Sequence, residues 1–328
     1  MKNREKRNTD TSSITKTLEL LNIGLSCHAY CLLEHTGICK ILKDTGEFSE
    51  ENLGFYQNPA LLRSALVTLV GSKFLSFQNK TFRFTDLGLE IYENLGTIFM
   101  PIVGYRDLFA KQFKLASNPK DWNHEDIDTV SIANSSVNFG LGKVDQEIFD
   151  ILQHVNPIGT ICDLGCGNGE KLISICDKFG SSGFGIDICK EAFAKIKDSI
   201  SSKDRIEFIQ SDITKLNGIW EDVDVALMNM VFHDIYPSSK AVEFLKSLRS
   251  HFPRLRCLLI VDIVTVSDAV STILPGFDYV HGLQGIVPRS YDEMIETFRQ
   301  SGYQVIKETK IKNIPNMFIW ALSPVCYS

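Results

Sequence analysis

The stretch ICDLGCGNGE, Ile161 to Glu170, constrains the fold more than any other part of the chain. An apolar, β-branched run ends at Leu164, three alternate glycines follow (Gly165, Gly167, Gly169), and a helical pattern opens near Glu170. Glycine enters left-handed backbone without steric cost and lets a ligand come close to the main chain. The pattern therefore predicts a strand, a tight ligand-facing turn and a helix, the opening unit of a doubly wound α/β domain. It is not a Walker loop, because no Gly-Lys-Ser/Thr follows. Nor is it the dinucleotide G-x-G-x-x-G of a nicotinamide dehydrogenase, because the third glycine comes one residue early. Asp163, just before the turn, would repel a diphosphate and suits a ligand with a cationic amino group.

From about residue 140 onward, short β-rich runs alternate with helical ones. Strands are predicted at Thr160–Leu164, Gly183–Ile188, Ile206–Gln210, Val223–Met228 and Arg256–Val264, with a closing pair at Tyr303–Lys310 and Met317–Leu322. Several have continuous apolar cores, as parallel strands covered on both faces require. Two more acids fall at strand ends. Asp187 closes GFGID, where a carboxylate can accept both ribose hydroxyls. Asp212 closes IEFIQSD, where it can accept the exocyclic amine of adenine.

The first third reads differently. Residues 1–13 are basic and polar, with no apolar stretch behind the charges, so they are not expected to form a secretory signal. Residues 14–116 read as a helical domain: Leu18, Leu21, Leu25 and Leu32 recur at helical spacing, and Asn58-Pro59 opens a helix that Gly71 can close. Two short strands, Phe74–Phe77 and Thr81–Phe84, and a helix from Asp86 complete a winged-helix pattern. A DNA-reading helix needs basic and amide side chains, but the helix after Pro59 offers only Arg63 and is apolar nearly all round, hence expected to be buried. With a net charge of −6, the chain has no overall pull towards nucleic acid or anionic lipid. No apolar run approaches the ~20 residues of a membrane span. Nine cysteines, an odd number in a long chain without a signal, read as reduced thiols and a cytoplasmic location. Cys27, Cys31, His35 and Cys39 recur every four residues, yet the outer pair on one helix would be roughly 18 Å apart and cannot share a zinc ion. The polar stretch 117–139 reads as a connector to the domain at 140–328.

With its glycine turn DLGCGNGE and the acids Asp187 and Asp212, the chain resembles the class I S-adenosylmethionine-dependent methyltransferases. The resemblance covers the chain from about residue 140. It implies a Rossmann-like α/β fold with a seven-stranded sheet and a reversed terminal hairpin, and S-adenosylmethionine as cofactor. Asp163, Gly165 and Gly167 would then face the methionine moiety, with Ile188 and Ile213 flanking the adenosine. The helical, winged N-terminal part is similar to that of small-molecule methyltransferases that form homodimers through it.

The acceptor site is expected just past the fourth strand, where DVALMNMVFHDIY brings His233 and Asp234 to the edge at which open α/β sheets bind ligands. Two branches resemble the chain here. In plant-type O-methyltransferases the His is a general base, and an imidazole near pKa 6.5 suits that task. Asp262, ending LLIVD, falls where that branch has an acid orienting the His; where a second such acid precedes an arginine like Arg289, this chain has Pro288. The 2-oxo-acid C-methyltransferases (phenylpyruvate and 2-ketoarginine types) resemble it in having a second His, here His281 in FDYVHGLQG, and a segment like IVGYRDLF, whose Arg106 would pair the substrate carboxylate. His233, Asp234 and His281 would form a facial site for a divalent metal such as iron or zinc, leaving positions open for a 2-oxo acid. Neighbours in an extended strand point to opposite faces, so His233 and Asp234 can share a metal only if the chain turns there. The favoured expectation is metal-assisted C3-methylation of a small 2-oxo acid; O-methylation with His233 as base is the alternative.

Overall fold

A computed structural model describes residues 11–137, 142–155, 157–199, 205–265, 275–312 and 314–325. The chain folds as two units, one running to Gly104 and the other holding Tyr105–Val137 and Leu141–Ser328.

In the first unit a long helix α1 (Thr11–His35) stops where Gly37 takes a left-handed turn (φ 78°), and α2 (Ile38–Thr45) follows. The break puts Cys39 on a different helix from Cys27 and Cys31, and all three are free thiols. Next come β1 (Phe48–Ser49), α3 (Pro59–Gly71), β2 (Leu75–Gln78) and β3 (Thr81–Phe84), the strands pairing antiparallel in the order β1-β3-β2. Helices α4 (Asp86–Glu93) and α5 (Gly96–Phe99) close the unit. Asn58 caps α3 as its sequence predicts, its side-chain oxygen accepting the Leu61 N–H at 3.1 Å. The expected burial of α3 needs correction. Leu62, Ala65, Leu66 and Leu69 are buried, but Leu61 and Val67 are exposed. The same holds for α1, whose Leu18, Leu21 and Leu25 are exposed while Ala29, Tyr30 and Leu33 are buried. This unit's small core takes one stripe of α3 and the C-terminal part of α1, and the remaining apolar residues face outward.

The second unit begins at Tyr105, so 105–116, grouped from sequence with the helical domain, packs with the sheet domain instead. It holds α6 (Arg106–Ala110), α7 (Gln112–Leu115), α8 (Thr129–Val137) and α9 (Gly142–Val155). Part of the expected connector is thus helical; its last two residues lie outside the described residues. Strands β4 (Thr160–Leu164), β5 (Ser182–Asp187), β6 (Ile206–Gln210), β7 (Val223–Asn229), β8 (Cys257–Ile263), β9 (Tyr303–Lys310) and β10 (Met317–Pro324) form one sheet in the order β6-β5-β4-β7-β8-β10-β9. The strands β4 to β8 run parallel, whereas β10 is antiparallel to both β8 and β9. Every residue of β4 and β8 is buried, which explains why they are apolar apart from Thr160 and the acids Asp163 and Asp262. Helices α10 (Glu170–Phe179), α11 (Lys190–Ser199) and α12 (Ser238–His251) connect β4 to β5, β5 to β6 and β7 to β8, and α13 (Pro275–Leu283) and α14 (Tyr291–Gln300) both lie between β8 and β9. Residues of α12 and α14, among them Phe244, Leu245, Met294 and Phe298, pack with Leu258, Ile260 and Trp320 of the sheet in one core. No helix among the described residues is long and apolar enough to cross a membrane.

This strand order creates the site. The chain leaves β4 towards β5 and β6, and leaves β7 towards β8, so the connections diverge between these two neighbours. Ligands bind at such a switch point, outside the carboxyl ends of the strands. The glycine turn follows β4 and the His233 segment follows β7.

Candidate active site

The turn after β4 uses its glycines as the sequence predicts. Gly165 has φ 81°, and a Cβ there would lie 2.5 Å from Val231 Cγ2. Gly167 has φ 53°, a conformation L side chains rarely adopt, and a Cβ there would touch Ala133 at 3.6 Å. Asp187, at the end of β5, straps the turn: its carboxylate accepts the Gly167 and Cys189 N–H groups, both at 2.8 Å. Each oxygen retains a lone pair for a hydroxyl. The Ser211 N–H donates to the Asp187 carbonyl at 2.9 Å, which sets Asp212 at the neighbouring strand end. Asp212 caps the turn Ile213–Lys215 through the Thr214 N–H at 2.9 Å and pairs with Lys215 at 2.9 Å. Ile188 is exposed and Ile213 half-buried.

Beside the turn lies a cavity of about 310 Å³ lined by Asp145, Asp163, Gly165, Cys166, Gly167, Asn168, Glu170, Lys171, Ser174 and Asn229. Asp163 is buried, and its Oδ1 and the Oδ1 of Asn229 have no hydrogen-bond partner among the described residues. Burial, opposed by the charge of Lys171 and reinforced by that of Asp187, pushes the Asp163 carboxyl up to about 7. Two unsatisfied buried acceptors call for a donor, and a cationic amine supplies it. The residues present fit S-adenosylmethionine. Asn229 was not singled out from the sequence, though as the last residue of β7 it stands where this fold binds ligands.

Beyond β7 the chain does turn. Phe232–Asp234 form one turn of 3-10 helix, so His233 and Asp234 are not on opposite faces of a strand. His233 is buried, and its Nδ1 lies 2.7 Å from Asp262 Oδ1, while its own N–H donates to Asp262 Oδ2 at 2.8 Å. His281, buried on α13, has its Nδ1 2.7 Å from the Phe277 carbonyl. Both Nδ1 atoms are thus donors, so in the neutral form of each ring the lone pair lies on Nε2. These Nε2 atoms lie 3.6 and 3.7 Å from Asp234 Oδ1. Among the described residues, His233, Asp234 and His281 form a group whose ligating atoms all lie within 4.8 Å of one another. Burial lowers the basicity of His233, but the facing carboxylates of Asp262 and Asp234 outweigh it and raise its pKa to about 9. Burial and the neighbouring His233 push His281 down to about 4. Phe277 packs against both imidazoles, with ring centroids 5.0 and 4.1 Å away.

Arg289 also serves this turn, a role the sequence did not disclose. Its buried guanidinium donates to the Phe232 carbonyl at 3.1 Å, to the Ile235 carbonyl and to Ser238 Oγ at 3.2 Å. Arg106 is not drawn into the group: its guanidinium is largely exposed and forks onto Asp107 at 2.9 Å.

A glycine turn at the switch point, acids at the next two strand ends and an antiparallel terminal hairpin define a methyl-transferring Rossmann-like fold. Comparison with known proteins agrees. Residues 161–252 match the family described as "Methyltransferase domain". The chain is 31% identical to the indolepyruvate C-methyltransferase of Streptomyces griseus over 91% of its own length and 92% of that protein's. Among solved structures, it is similar in fold to human N-acetylserotonin methyltransferase (TM-score 0.73, 14% identity, 98% and 99% of the two chains). It is likewise similar to a mitomycin 7-O-methyltransferase (TM-score 0.70, 15% identity, 96% and 98%). The chain belongs to the class I S-adenosylmethionine-dependent methyltransferases. It is an enzyme of that class acting on a small molecule.

Proposed function

We propose that the protein methylates C3 of a small 2-oxo acid, with a divalent metal, iron or zinc, held by His233, Asp234 and His281. The observation that carries the reading is the convergence of the two Nε2 atoms on Asp234 Oδ1, where a bound cation would displace the His233 proton. Two imidazoles and one carboxylate suit such a cation, and anchored distal nitrogens are the usual support of metal-binding histidines. The name of the Streptomyces griseus relative, an enzyme of indolepyruvate, supports a 2-oxo acid as acceptor.

S-adenosylmethionine supplies an activated methyl group, which leaves by in-line displacement. A metal held by these residues would supply Lewis acidity towards the 2-oxo acid, acidifying C3–H so that its proton would pass to water as the methyl group takes its place. The chain's own residues do the rest. Asp163 and Asn229 offer acceptors for the cofactor's amino group, Asp187 receives the ribose hydroxyls, and Asp212, Ile188 and Ile213 surround the adenine. Asp262 holds the His233 ring and its backbone together, and Phe277 fixes the angle between the imidazoles. In-line reaction needs this positioning more than any further chemistry.

The His233–Asp262 pair at 2.7 Å supports the second reading, O-methylation with His233 as general base, which its raised pKa of about 9 would confine to alkaline pH. Metal analysis and product analysis separate the two. The metal reading expects about one divalent ion per chain and a C3-methylated product, with turnover of 2-oxo acids lost in His281→Ala and in chelator. Full activity in chelator with an ether or ester product would sink it.

The protein acts as a homodimer in this reading. Support comes from the apolar side chains left exposed on α1 (Ile14, Leu18, Leu20, Leu21, Ile23, Leu25) and on α3 (Leu61, Val67). The eight cysteines among the described residues are free, which supports the cytoplasm as its location.

A further inference from the structure

Lys171 is the second residue of α10, immediately after the glycine turn. Its side chain is only 16% exposed and its ammonium pairs with Asp145 of α9. Burying a lysine this far costs free energy unless its charge is used. The cavity that Lys171 lines also holds Asp145, Asp163 and Glu170, and Lys171 is the one cationic side chain among its lining residues. An acidic lining suits the ammonium and sulfonium of the cofactor. It does not suit the carboxylate that shares a carbon atom with that ammonium. A cation beside an acceptor in one cavity matches both charges of an amino-acid end, and here the acceptors are the unsatisfied Oδ1 atoms of Asp163 and Asn229.

We propose that Lys171 binds the carboxylate of the cofactor's methionine end, with Asp145 holding the lysine in place. An ammonium has three donors, so it can keep Asp145 and still give one to the ligand. The pairing selects the whole amino acid rather than an amine alone. It involves neither the acceptor nor the metal.

Calorimetric titration of the full chain tests this with three ligands. S-adenosylmethionine has both amino and carboxylate groups, its decarboxylated analogue keeps only the amine, and 5′-methylthioadenosine has neither. Lys171→Met is expected to weaken S-adenosylmethionine by about 10- to 100-fold, as loss of a charge-assisted hydrogen bond does. 5′-Methylthioadenosine, which lacks both groups, should stay within about twofold of its wild-type affinity and the decarboxylated analogue should not weaken, which also shows that the cavity is intact. Lys171→Arg should recover most of the affinity for S-adenosylmethionine. Should the methionine variant fail to fold, Lys171→Gln is read by the same selectivity. Equal weakening of all three ligands would reduce Lys171 to an interhelical strut and overturn the proposal. Unchanged affinity for S-adenosylmethionine would overturn it too.

Discussion

Asp262 grips His233 twice, with Oδ1 2.7 Å from the imidazole Nδ1 and Oδ2 accepting the same residue's backbone N–H at 2.8 Å. The Ile263 N–H also donates to Oδ1, at 2.8 Å. A single carboxylate at the end of β8 thus sets the tautomer, the ring angle and the main-chain position of a residue after β7. His233 can aim Nε2 outward only because this fully buried group accepts from all sides.

Asp262→Asn tests that arrangement. All three donors facing Asp262 are N–H groups, so either orientation of the amide sets its NH2 against one of them. A stability loss of about 1–3 kcal/mol is expected by chemical denaturation. Metal content measured at limiting metal should correspond to an affinity about 10- to 100-fold lower, the usual cost of losing a ligand's anchoring partner. A variant with wild-type stability and metal content would show that Asp262 does not hold the ring.

Asp163 predicts a pH signature of cofactor binding. Its carboxyl, 3.8 in ordinary surroundings, is raised to about 7 in the fold. The folded chain thus keeps this proton longer than the unfolded one. The resulting stability is complete below pH about 4 and is lost as pH rises through about 7. The thermal midpoint of the ligand-free protein, measured against Asp163→Asn, should therefore fall between those values. A cationic amine beside Asp163 favours its charged form, so binding S-adenosylmethionine at pH 6–7 should release protons. The calorimetric heat should then vary with the ionisation enthalpy of the buffer, and Asp163→Asn should abolish that dependence. Heat independent of buffer in the wild type would contradict the assignment.

The central strands of the sheet domain were legible in the sequence because β4, β7 and β8 are buried on both faces and so appear as largely apolar runs. The edge strand β6 was legible from its apolar residues Ile206, Phe208 and Ile209, and Thr160–Leu164 and Ile206–Gln210 match the observed strands residue for residue. The glycine turn was legible because positive φ leaves few other residue choices. The first unit was less so: α1 and α3 are apolar on more faces than the core uses, so periodicity alone did not say which side is buried. Asp262 and His281 followed from resemblance, whereas the turn at Phe232–Asp234 was only the condition for His233 and Asp234 to act together, since strand periodicity argued against it. Lys171 left no signal, and Arg289 was matched to an arginine of one branch without a role. Their roles depend on groups distant in sequence, Asp145 for one and the carbonyls of Phe232 and Ile235 for the other.

Arg289 yields the last prediction. Its guanidinium caps the carbonyls on either side of His233 and Asp234 and lies 4.8 Å from the Phe232 ring centroid. A neutral side chain there would leave buried carbonyls unpaired. Lysine keeps the charge but lacks the fork that reaches Phe232, Ile235 and Ser238 together. Arg289→Lys is expected to cost about 1–3 kcal/mol of stability. It should also loosen the turn enough to lower metal affinity by about tenfold or more. The cofactor hollow after β4 uses none of these contacts, so the dissociation constant for S-adenosylmethionine should stay within about twofold, as for sites without shared partners. Metal titration and cofactor titration on the same preparation decide the matter. Parallel loss of both ligands would mean that Arg289 supports the whole domain, whereas selective loss of metal binding assigns it to the turn carrying His233 and Asp234.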